Sequence, residues 1–143
     1  MATWIEFAEA APELSERVRR SFQAHKHLTM ATLRKDGSPR ISATEIEYSG
    51  GQLWLGSMPN ALKAKDLRRD PRFALHNGYS QTDPETMEDA KIAGFANEVP
   101  HPKHHRFEVD IREASVVRVN EEQTHLIIDV WTAAGGLKQI KRT

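Results

Sequence analysis

Short apolar runs separated by tight-turn residues fill the sequence from Leu28 onward, and this pattern restricts the fold more than any other feature. Asp36-Gly37 is the strongest short hairpin signal in the chain, and Ser49-Gly50-Gly51 marks a second turn. Such runs are too short for helices, and their number is typical of an antiparallel sandwich or barrel. The sequence therefore predicts a mainly β fold with a few accessory helices.

The predicted strands follow from these apolar runs. They cover Leu28–Leu33, Arg40–Tyr48, Gln52–Gly56, Arg72–Asn77, Lys91–Asn97, Phe107–Glu113, Val116–Val119, His125–Thr132 and Leu137–Lys141. Within the second strand, alternation places Ile41, Ala43 and Glu45 on one face, and Arg40, Ser42, Thr44 and Ile46 on the other. The polar, acidic segment Gly78–Asp89 is too long for a tight hairpin and is predicted to be a mobile excursion.

Helical signals precede the strands. Thr3 with Glu6 fits a capping box, and Pro12 suits the first position of a second helical run. Leu14, Val18 and Phe22 then recur on one helical face. This segment is predicted to be a helix that covers the sheet.

Composition excludes several classes of function. The 143 residues suit one domain over residues 1–143, and the formal net charge is zero, so there is no overall attraction for nucleic acid. There is no cysteine, which excludes disulfides and thiolate metal sites. No run approaches the ~20 apolar residues of a membrane helix, and the N-terminus has no basic secretory start. We expect a cytoplasmic protein.

The segment from Leu53 to Arg72 carries the most informative chemistry. It reads as a strand, a tight loop and a helix start, with Gly56 allowing close approach to the backbone and Ser57 offering a hydroxyl. Asn60 is predicted to cap a helix over Asn60–Arg69, and Lys63 lies in its first turn. Helix amides, the helix dipole and a lysine together form a candidate phosphate cradle. A capped surface helix with solvated lysines is the alternative.

Three motifs resemble the pyridoxamine-phosphate oxidase-like split barrels, which include flavin- and deazaflavin-dependent oxidoreductases. They are the hairpin Thr32–Ser42, the helix motif Lys63–Arg72 and the strand Phe107–Ile111, in the family's order and spacing. The resemblance covers most of the chain. It implies an antiparallel split β-barrel with an N-terminal helix and a short helix after the third strand. It also implies a homodimer with the cofactor across its interface.

The resemblance also implies roles for individual residues. Lys63 matches the phosphate-binding lysine, and Ser57 matches a hydroxyl residue that contacts the same phosphate. Ser42 matches a position bordering the phosphate or the ring. Trp131 matches an aromatic side chain that approaches the flavin from the partner subunit, and Lys138 lies near the family's C-terminal basic residues.

The sequence departs from the family pattern where positive charge is expected. Ala61-Leu62 stands where the oxidases often have serine and arginine, and Glu45 and Glu47 stand where they often have lysine. Each lost phosphate contact costs roughly 1.5–3 kcal/mol. Arg40 and the Lys65 of the helix motif remain as further cofactor-binding candidates. The departures argue against vitamin-B6 oxidase activity in particular.

The function implied is oxidoreduction with FMN, or alternatively with the deazaflavin coenzyme F420, which would pass hydride to or from a small organic substrate. No catalytic residue is identified. The alternative is a non-enzymatic cofactor-binding or haem-related protein on the same barrel, and a ligand-free structural dimer is a third reading.

Two clusters suggest other partners. His101, His104 and His105 could bind a metal, but their proline and cationic neighbours favour an exposed loop, and no metal site is predicted. Arg68-Arg69 with Arg72 could contact nucleic acid, but the neutral charge of the chain favours a solvated helix face. No nucleic-acid partner is predicted.

Overall fold

Three helices and nine strands make up the part of the chain that the computed structural model describes, residues 1–78 and 88–143. Most of the predicted Gly78–Asp89 excursion therefore lies outside the described residues. The helices are α1 (Trp4–Ala10), α2 (Pro12–Gln23) and α3 (Leu62–Arg69). The strands are β1 (Leu28–Leu33), β2 (Pro39–Thr44), β3 (Ile46–Ser49), β4 (Gln52–Ser57), β5 (Arg72–His76), β6 (Asp89–Val99), β7 (His105–Val119), β8 (Leu126–Thr132) and β9 (Gly136–Arg142).

Every strand pairing is antiparallel, and β7 organises the sheet. The main path runs β2-β1-β5-β6-β7-β4-β3, and β8 joins β7 and carries β9. One edge of β7 pairs with β6. Its other edge pairs first with β4, from His105 to Glu108, and then with β8, from Glu113 to Val119. This divided edge separates the barrel from the β8–β9 hairpin. The predicted antiparallel split barrel with accessory helices is confirmed.

Two predicted strands have different boundaries in the structure. The run Arg40–Tyr48 is two strands, because β2 pairs with β1, the chain turns at Glu45, and β3 pairs with β4. The short helix α3 therefore follows the fourth strand and not the third. Conversely, Phe107–Glu113 and Val116–Val119 belong to the single strand β7. The alternation of apolar and polar residues continues from β2 into β3, so it does not reveal the break at Glu45. In β7 the small residues Ala114 and Ser115 suggest a break that the structure does not have.

The register between β6 and β7 shifts at Gly94. A Cβ at this position would lie 2.0 Å from the carbonyl oxygen of Asp110, so no larger residue fits without moving the backbone. Bulges of this kind bend and twist a strand. Here the bulge lets the long β6–β7 ladder curve around the core.

The N-terminal helices cover this core as predicted. The Thr3 hydroxyl accepts a hydrogen bond from the Glu6 amide at 3.1 Å and caps α1, and α2 begins at Pro12. The apolar face of α2 is buried against β6 and β7. No helix among the described residues is long and apolar enough to cross a lipid bilayer. The largest fully buried side chains include Phe7, Phe22, Phe107, Met30, Leu53, Ile92 and Ile111.

A buried carboxylate fixes α3 against the first hairpin. Asp66 accepts hydrogen bonds from the Thr32 hydroxyl at 2.8 Å and from Arg40 Nε at 2.7 Å, and Arg69 Nη1 lies 3.6 Å away. Only 2% of its side chain is exposed. Burial alone would raise the pKa of Asp66, but the hydrogen bonds from Arg40 and Thr32 hold this pKa below its ordinary value.

We expect Asp66→Asn to lower the free energy of unfolding by about 3 kcal/mol at neutral pH, because it leaves Arg40 without its counter-charge. A carboxyl whose folded pKa is depressed stabilises fully above its ordinary value of 3.8 and loses that contribution as pH falls through the folded pKa. In denaturant unfolding experiments below about pH 4, the free energy of unfolding should therefore fall less steeply with decreasing pH in the variant than in the wild type.

Asp70→Asn is the matched control, since Asp70 pairs with the exposed Arg72. Exposed ion pairs contribute little to stability, because water and salt screen them. Equal losses from the two variants would contradict the anchoring role of Asp66.

Candidate functional site

A pocket of about 560 Å³ opens where β4 ends and the chain turns into α3. One wall is the end of β2 and the residue after it, and the other is the β4–α3 turn. The lining residues are His27, Ala43, Thr44, Glu45, Gly56, Ser57, Met58, Pro59, Lys63 and His104. Two of the predicted site residues, Ser57 and Lys63, therefore lie in one pocket.

Lys63 supplies the positive charge of this pocket. Its Nζ donates a hydrogen bond to the carbonyl oxygen of Ala43 at 2.7 Å, which holds the ammonium across the pocket. Burial lowers the pKa of Lys63, and the charge of Glu45 opposes this effect. The Glu45 carboxylate itself lies 3.2 Å from His27 Nε2 and 3.9 Å from Lys26 Nζ. Lys26 therefore partly neutralises the negative charge of Glu45.

Two hydroxyls of β2 have no hydrogen-bond partner among the described residues. Thr44 Oγ1 is one of them, on a side chain that is almost fully buried and lines the pocket. Ser42 Oγ is the other, two residues earlier on the same face of the strand. The Ser57 hydroxyl has only a long contact, 3.4 Å, to the carbonyl oxygen of Met58. A buried hydroxyl without a partner costs about 1–3 kcal/mol, so a ligand that accepts from Thr44 would recover that cost.

The turn into α3 differs from the sequence prediction. Asn60 is not the N-cap: Ala61 holds that position and makes no side-chain cap. Asn60 lies one residue earlier with φ of 63°, a left-handed conformation that asparagine tolerates, and its amide donates to His105 Nε2 at 3.3 Å. The residue type at a helix start does not reveal which of two neighbouring residues caps it.

These features together suit an anionic ester more than a neutral ligand. Three residues that line one pocket are Lys63, with its ammonium, Thr44, whose buried hydroxyl has no partner in the described chain, and Ser57, with its long hydrogen bond. Beside them, a Cβ on Gly56 would meet no atom of the described residues within 4 Å, which leaves room for a ligand to approach the backbone. Glu45 lines the same pocket, and its negative charge reduces the attraction of Lys63 for an anionic ligand.

Arg40 and Lys65 lie in a different groove. Side chains two residues apart on a helix point about 200° apart around its axis, so Lys65 faces away from Lys63. Its groove, of about 640 Å³, lies between α3 and the β1–β2 turn. The Arg40 Nε is already bonded to Asp66. The lining residues are Arg34, Lys35, Asp36, Arg40, Leu62, Lys65, Asp66 and Arg69.

Trp131 and Lys138 are also apart from the pocket. Trp131 on β8 is 6% exposed and packs on Phe7 at a ring-centroid distance of 5.0 Å, within the core of its own chain. Lys138 lies on the fully exposed strand β9, opposite Val130. The structure of one chain therefore does not bring either residue to Lys63.

The histidine-rich segment forms the neighbouring wall. The rings of His101 and His104 stack with centroids 3.7 Å apart, and His104 also lines the Lys63 pocket. The pKa of His101 is lowered by burial and then by the nearby His104, Arg106 and Lys103. In residues 1–78 and 88–143, no group of three His, Asp or Glu side chains is placed to hold a metal ion.

Sequence reasoning missed two parts of this site. Alternation put Thr44 on one face with Ser42, yet nothing local showed that its hydroxyl would be buried without a partner. The contact of His105 with Asn60 joins residues 45 positions apart, so no local signal predicts it. Gly56, by contrast, was identified from its place between a strand and a helix.

Comparison with known proteins gives one family and one fold. The family model described as pyridoxamine 5'-phosphate oxidase matches residues 14–125. No curated protein sequence matches significantly.

Three solved structures illustrate the shared fold. One is an FMN-binding, pyridoxamine 5'-phosphate oxidase-related protein from Nostoc punctiforme, with 11% identity and a TM-score of 0.68, covering 93% of this chain and 96% of that one. PhzG from Burkholderia lata is 10% identical with a TM-score of 0.66, covering 99% and 92%. The heme storage protein HutZ from Vibrio cholerae is 13% identical with a TM-score of 0.57, covering 69% and 90%.

Gly56→Ala tests the pocket directly. Its Cβ meets no atom of the described chain, so we expect the melting temperature to stay close to the wild-type value. The added methyl group occupies the open space beside Ser57 and should weaken binding of a phosphate ester such as FMN, measured by fluorescence titration. Gly94→Ala is the contrasting variant. Its added Cβ clashes with the Asp110 carbonyl oxygen, so the free energy of unfolding should fall by about 1–3 kcal/mol. Unchanged FMN affinity in Gly56→Ala would count against this pocket.

Proposed function

The chain belongs to the pyridoxamine 5'-phosphate oxidase family, and on that premise we propose that it is an FMN-dependent oxidoreductase that transfers hydride to or from a small organic substrate. The observation that carries the proposal is the pocket at the start of α3. There Lys63 lies with the open space beside Gly56, and Thr44, whose buried hydroxyl has no partner among the described residues, lines the same pocket. We propose that this pocket binds the phosphate end of the cofactor.

The phosphate contacts follow from what each group can donate. The Lys63 ammonium has three donors and gives one to Ala43, so two remain for phosphate oxygens. Thr44 would donate its hydroxyl, and Ser57 would exchange a long internal contact for a shorter bond to phosphate. The first turn of α3 adds its amides and dipole. These residues fit a phosphate ester, while Ser42, two residues before Thr44 on β2, does not line the pocket.

A flavin bound here supplies the hydride chemistry, because its ring accepts and donates hydride. The task of this chain is to hold the phosphate end and to orient the rest of the molecule along the sheet. We assign no general acid or base. A deazaflavin coenzyme is the alternative cofactor, since its side chain also carries a phosphate group for Lys63 to bind.

We propose that the substrate is not a vitamin-B6 phosphate. Glu45 lies in the pocket beside Lys63, and Glu47 follows on β3. The Glu45 carboxylate repels a second phosphorylated ligand next to the cofactor phosphate. An uncharged or cationic organic substrate suits this environment better. The lack of cysteine is compatible with the reducing cytoplasm, where we propose that the protein works.

We further propose that two chains form a homodimer through the outer face of β7, β8 and β9. Paired residues of an antiparallel sheet share a face, and here Val119, Ile128 and Ile140 lie on the face opposite the buried Trp131. Val119 and Ile140 are exposed. The same face continues at Ser115 into an apolar groove that contains the exposed Ile41. A second copy would cover this surface, in keeping with the family, whose members are typically dimers.

Non-enzymatic binding of a cofactor or a haem-related ligand is the second candidate. It is favoured by the charge balance, one lysine against one carboxylate, and by His104, whose imidazole lines the pocket and could ligate iron. One protein of the same fold is described as a heme storage protein. Separate titrations with FMN and haem, followed at their visible bands, distinguish the two candidates.

Lys63→Ala should weaken FMN affinity at least about tenfold, because it removes a charge-assisted contact worth roughly 1.5–3 kcal/mol. The melting temperature should change little, since within residues 1–78 and 88–143 the Lys63 side chain makes a single hydrogen bond, to Ala43. Lys65→Ala is the matched control on the opposite face of α3 and should leave FMN affinity unchanged. Equal FMN affinities in wild type and Lys63→Ala would refute the assignment, and uptake of haem but not FMN would favour the second candidate.

Ile140→Lys should convert the dimer into a monomer, because it places a charge at the centre of the proposed interface. Ile5→Lys is the control: Ile5 is equally exposed, 48%, but lies on α1, away from this face. Light scattering coupled to size exclusion measures the outcome. If Ile140→Lys remains dimeric, the interface lies elsewhere.

A further inference from the structure

The turn between Ser57 and Lys63 sets the geometry of the proposed phosphate site. Ser57 ends β4, Lys63 is the second residue of α3, and the chain reverses between them. Inside the turn, the Ala61 amide donates to the carbonyl oxygen of Met58 at 3.2 Å. Asn60 holds φ of 63°, a left-handed conformation that asparagine adopts more readily than most other residues. A turn with so little internal bonding needs an external contact to keep one shape.

His105 supplies that contact. It pairs with Ser57 across the β4–β7 ladder, and its ring extends past the end of β4 to reach the turn. The Asn60 amide donates to His105 Nε2 at 3.3 Å. Nε2 is therefore the acceptor nitrogen, and the ring proton must lie on Nδ1.

The other side of the ring fixes this tautomer. His105 Nδ1 lies 2.6 Å from a carboxylate oxygen of Glu98 on β6, and this oxygen accepts a hydrogen bond from Nδ1–H. Arg68 of α3 holds the same carboxylate through Nε at 2.6 Å and Nη2 at 3.2 Å, and its Nη2 also lies 3.2 Å from Nδ1. The hydrogen bond from Arg68 keeps the pKa of Glu98 below its ordinary value despite burial, and His105 adds to this. Glu98 thus holds the ring and Arg68 holds Glu98, because two N–H donors do not hydrogen-bond to each other.

We propose that His105 is a positioning residue for phosphate binding. Glu98 and Arg68 orient its ring, and the ring holds the Asn60 amide, so that the turn presents Ser57 and Lys63 to one phosphate. His105 acts through the turn and does not contact the phosphate. This inference rests on the proposed function, since it concerns the same pocket.

Two substitutions separate the contacts of the ring. The amide oxygen of glutamine reaches as far along the side chain as Nε2, so His105→Gln keeps an acceptor for Asn60. Asparagine reaches only as far as Nδ1, so His105→Asn keeps a donor toward Glu98 and loses the acceptor. The ligands are FMN and riboflavin, which differ only in the phosphate. Affinities come from fluorescence titration, and amide exchange at Asn60 is followed by NMR in the free protein.

We expect His105→Asn to weaken FMN roughly three- to tenfold, the equivalent of one neutral hydrogen bond, and to leave riboflavin affinity unchanged. The Asn60 amide should exchange faster in this variant. In His105→Gln, both the FMN affinity and the exchange rate of the Asn60 amide should stay close to their wild-type values. Equal losses of FMN and riboflavin affinity, or no rescue by glutamine, would overturn the positioning role and leave a structural one.

The amide-exchange measurement keeps the two proposals separable. If the wild-type protein binds no FMN, the proposed function fails, whatever His105 does. If it binds FMN normally in both variants while Asn60 exchanges at the wild-type rate, the proposed function stands and the positioning role of His105 is wrong. Faster exchange in His105→Asn alone, with unchanged FMN affinity, would show that the turn is held but that phosphate binding does not depend on it.

Discussion

The position of α3 depends on one buried carboxylate. Asp66 ties this helix to β1 through Thr32 and to β2 through Arg40. Removing such a charge from water is expensive, and only the surrounding donors repay the cost. Once Asp66 faces the hairpin, the rotation of the helix is fixed. Lys63 must then face the β4 turn, and Lys65 must face the β1–β2 turn.

This rotation divides the positive charge of the motif between two grooves. Lys63 lines the same pocket as Thr44, whereas Lys65 and Arg40 lie in the other groove and Arg40 is engaged by Asp66. The pocket therefore relies on hydroxyls and on the shape of its turn more than on several cations. A site of this kind is sensitive to small displacements, because hydrogen bonds weaken steeply with geometry while the attraction between charges does not.

Much of the fold could be predicted from local sequence. The cap at Thr3, the helix start at Pro12 and the turns at Asp36-Gly37 and Gly50-Gly51 are all short-range effects. Strand boundaries that depend on pairing could not. The break at Glu45 exists because β2 and β3 join opposite ends of the sheet path, and β7 is continuous because it has partners along its whole length. Neither cause is contained in the residues at the boundary.

The sequence by itself determined the family, the antiparallel β class and the placement of Ser57 and Lys63 on either side of one strand-to-helix turn. These follow from motifs whose residues lie close together along the chain. Only the tertiary structure decided that the Thr44 hydroxyl is buried with no partner in the described part of the chain, that Trp131 packs in the core of its own chain, and that His105 reaches Asn60. Each of these depends on which distant elements pack together, and long-range packing is set by the whole chain and not by any local pattern.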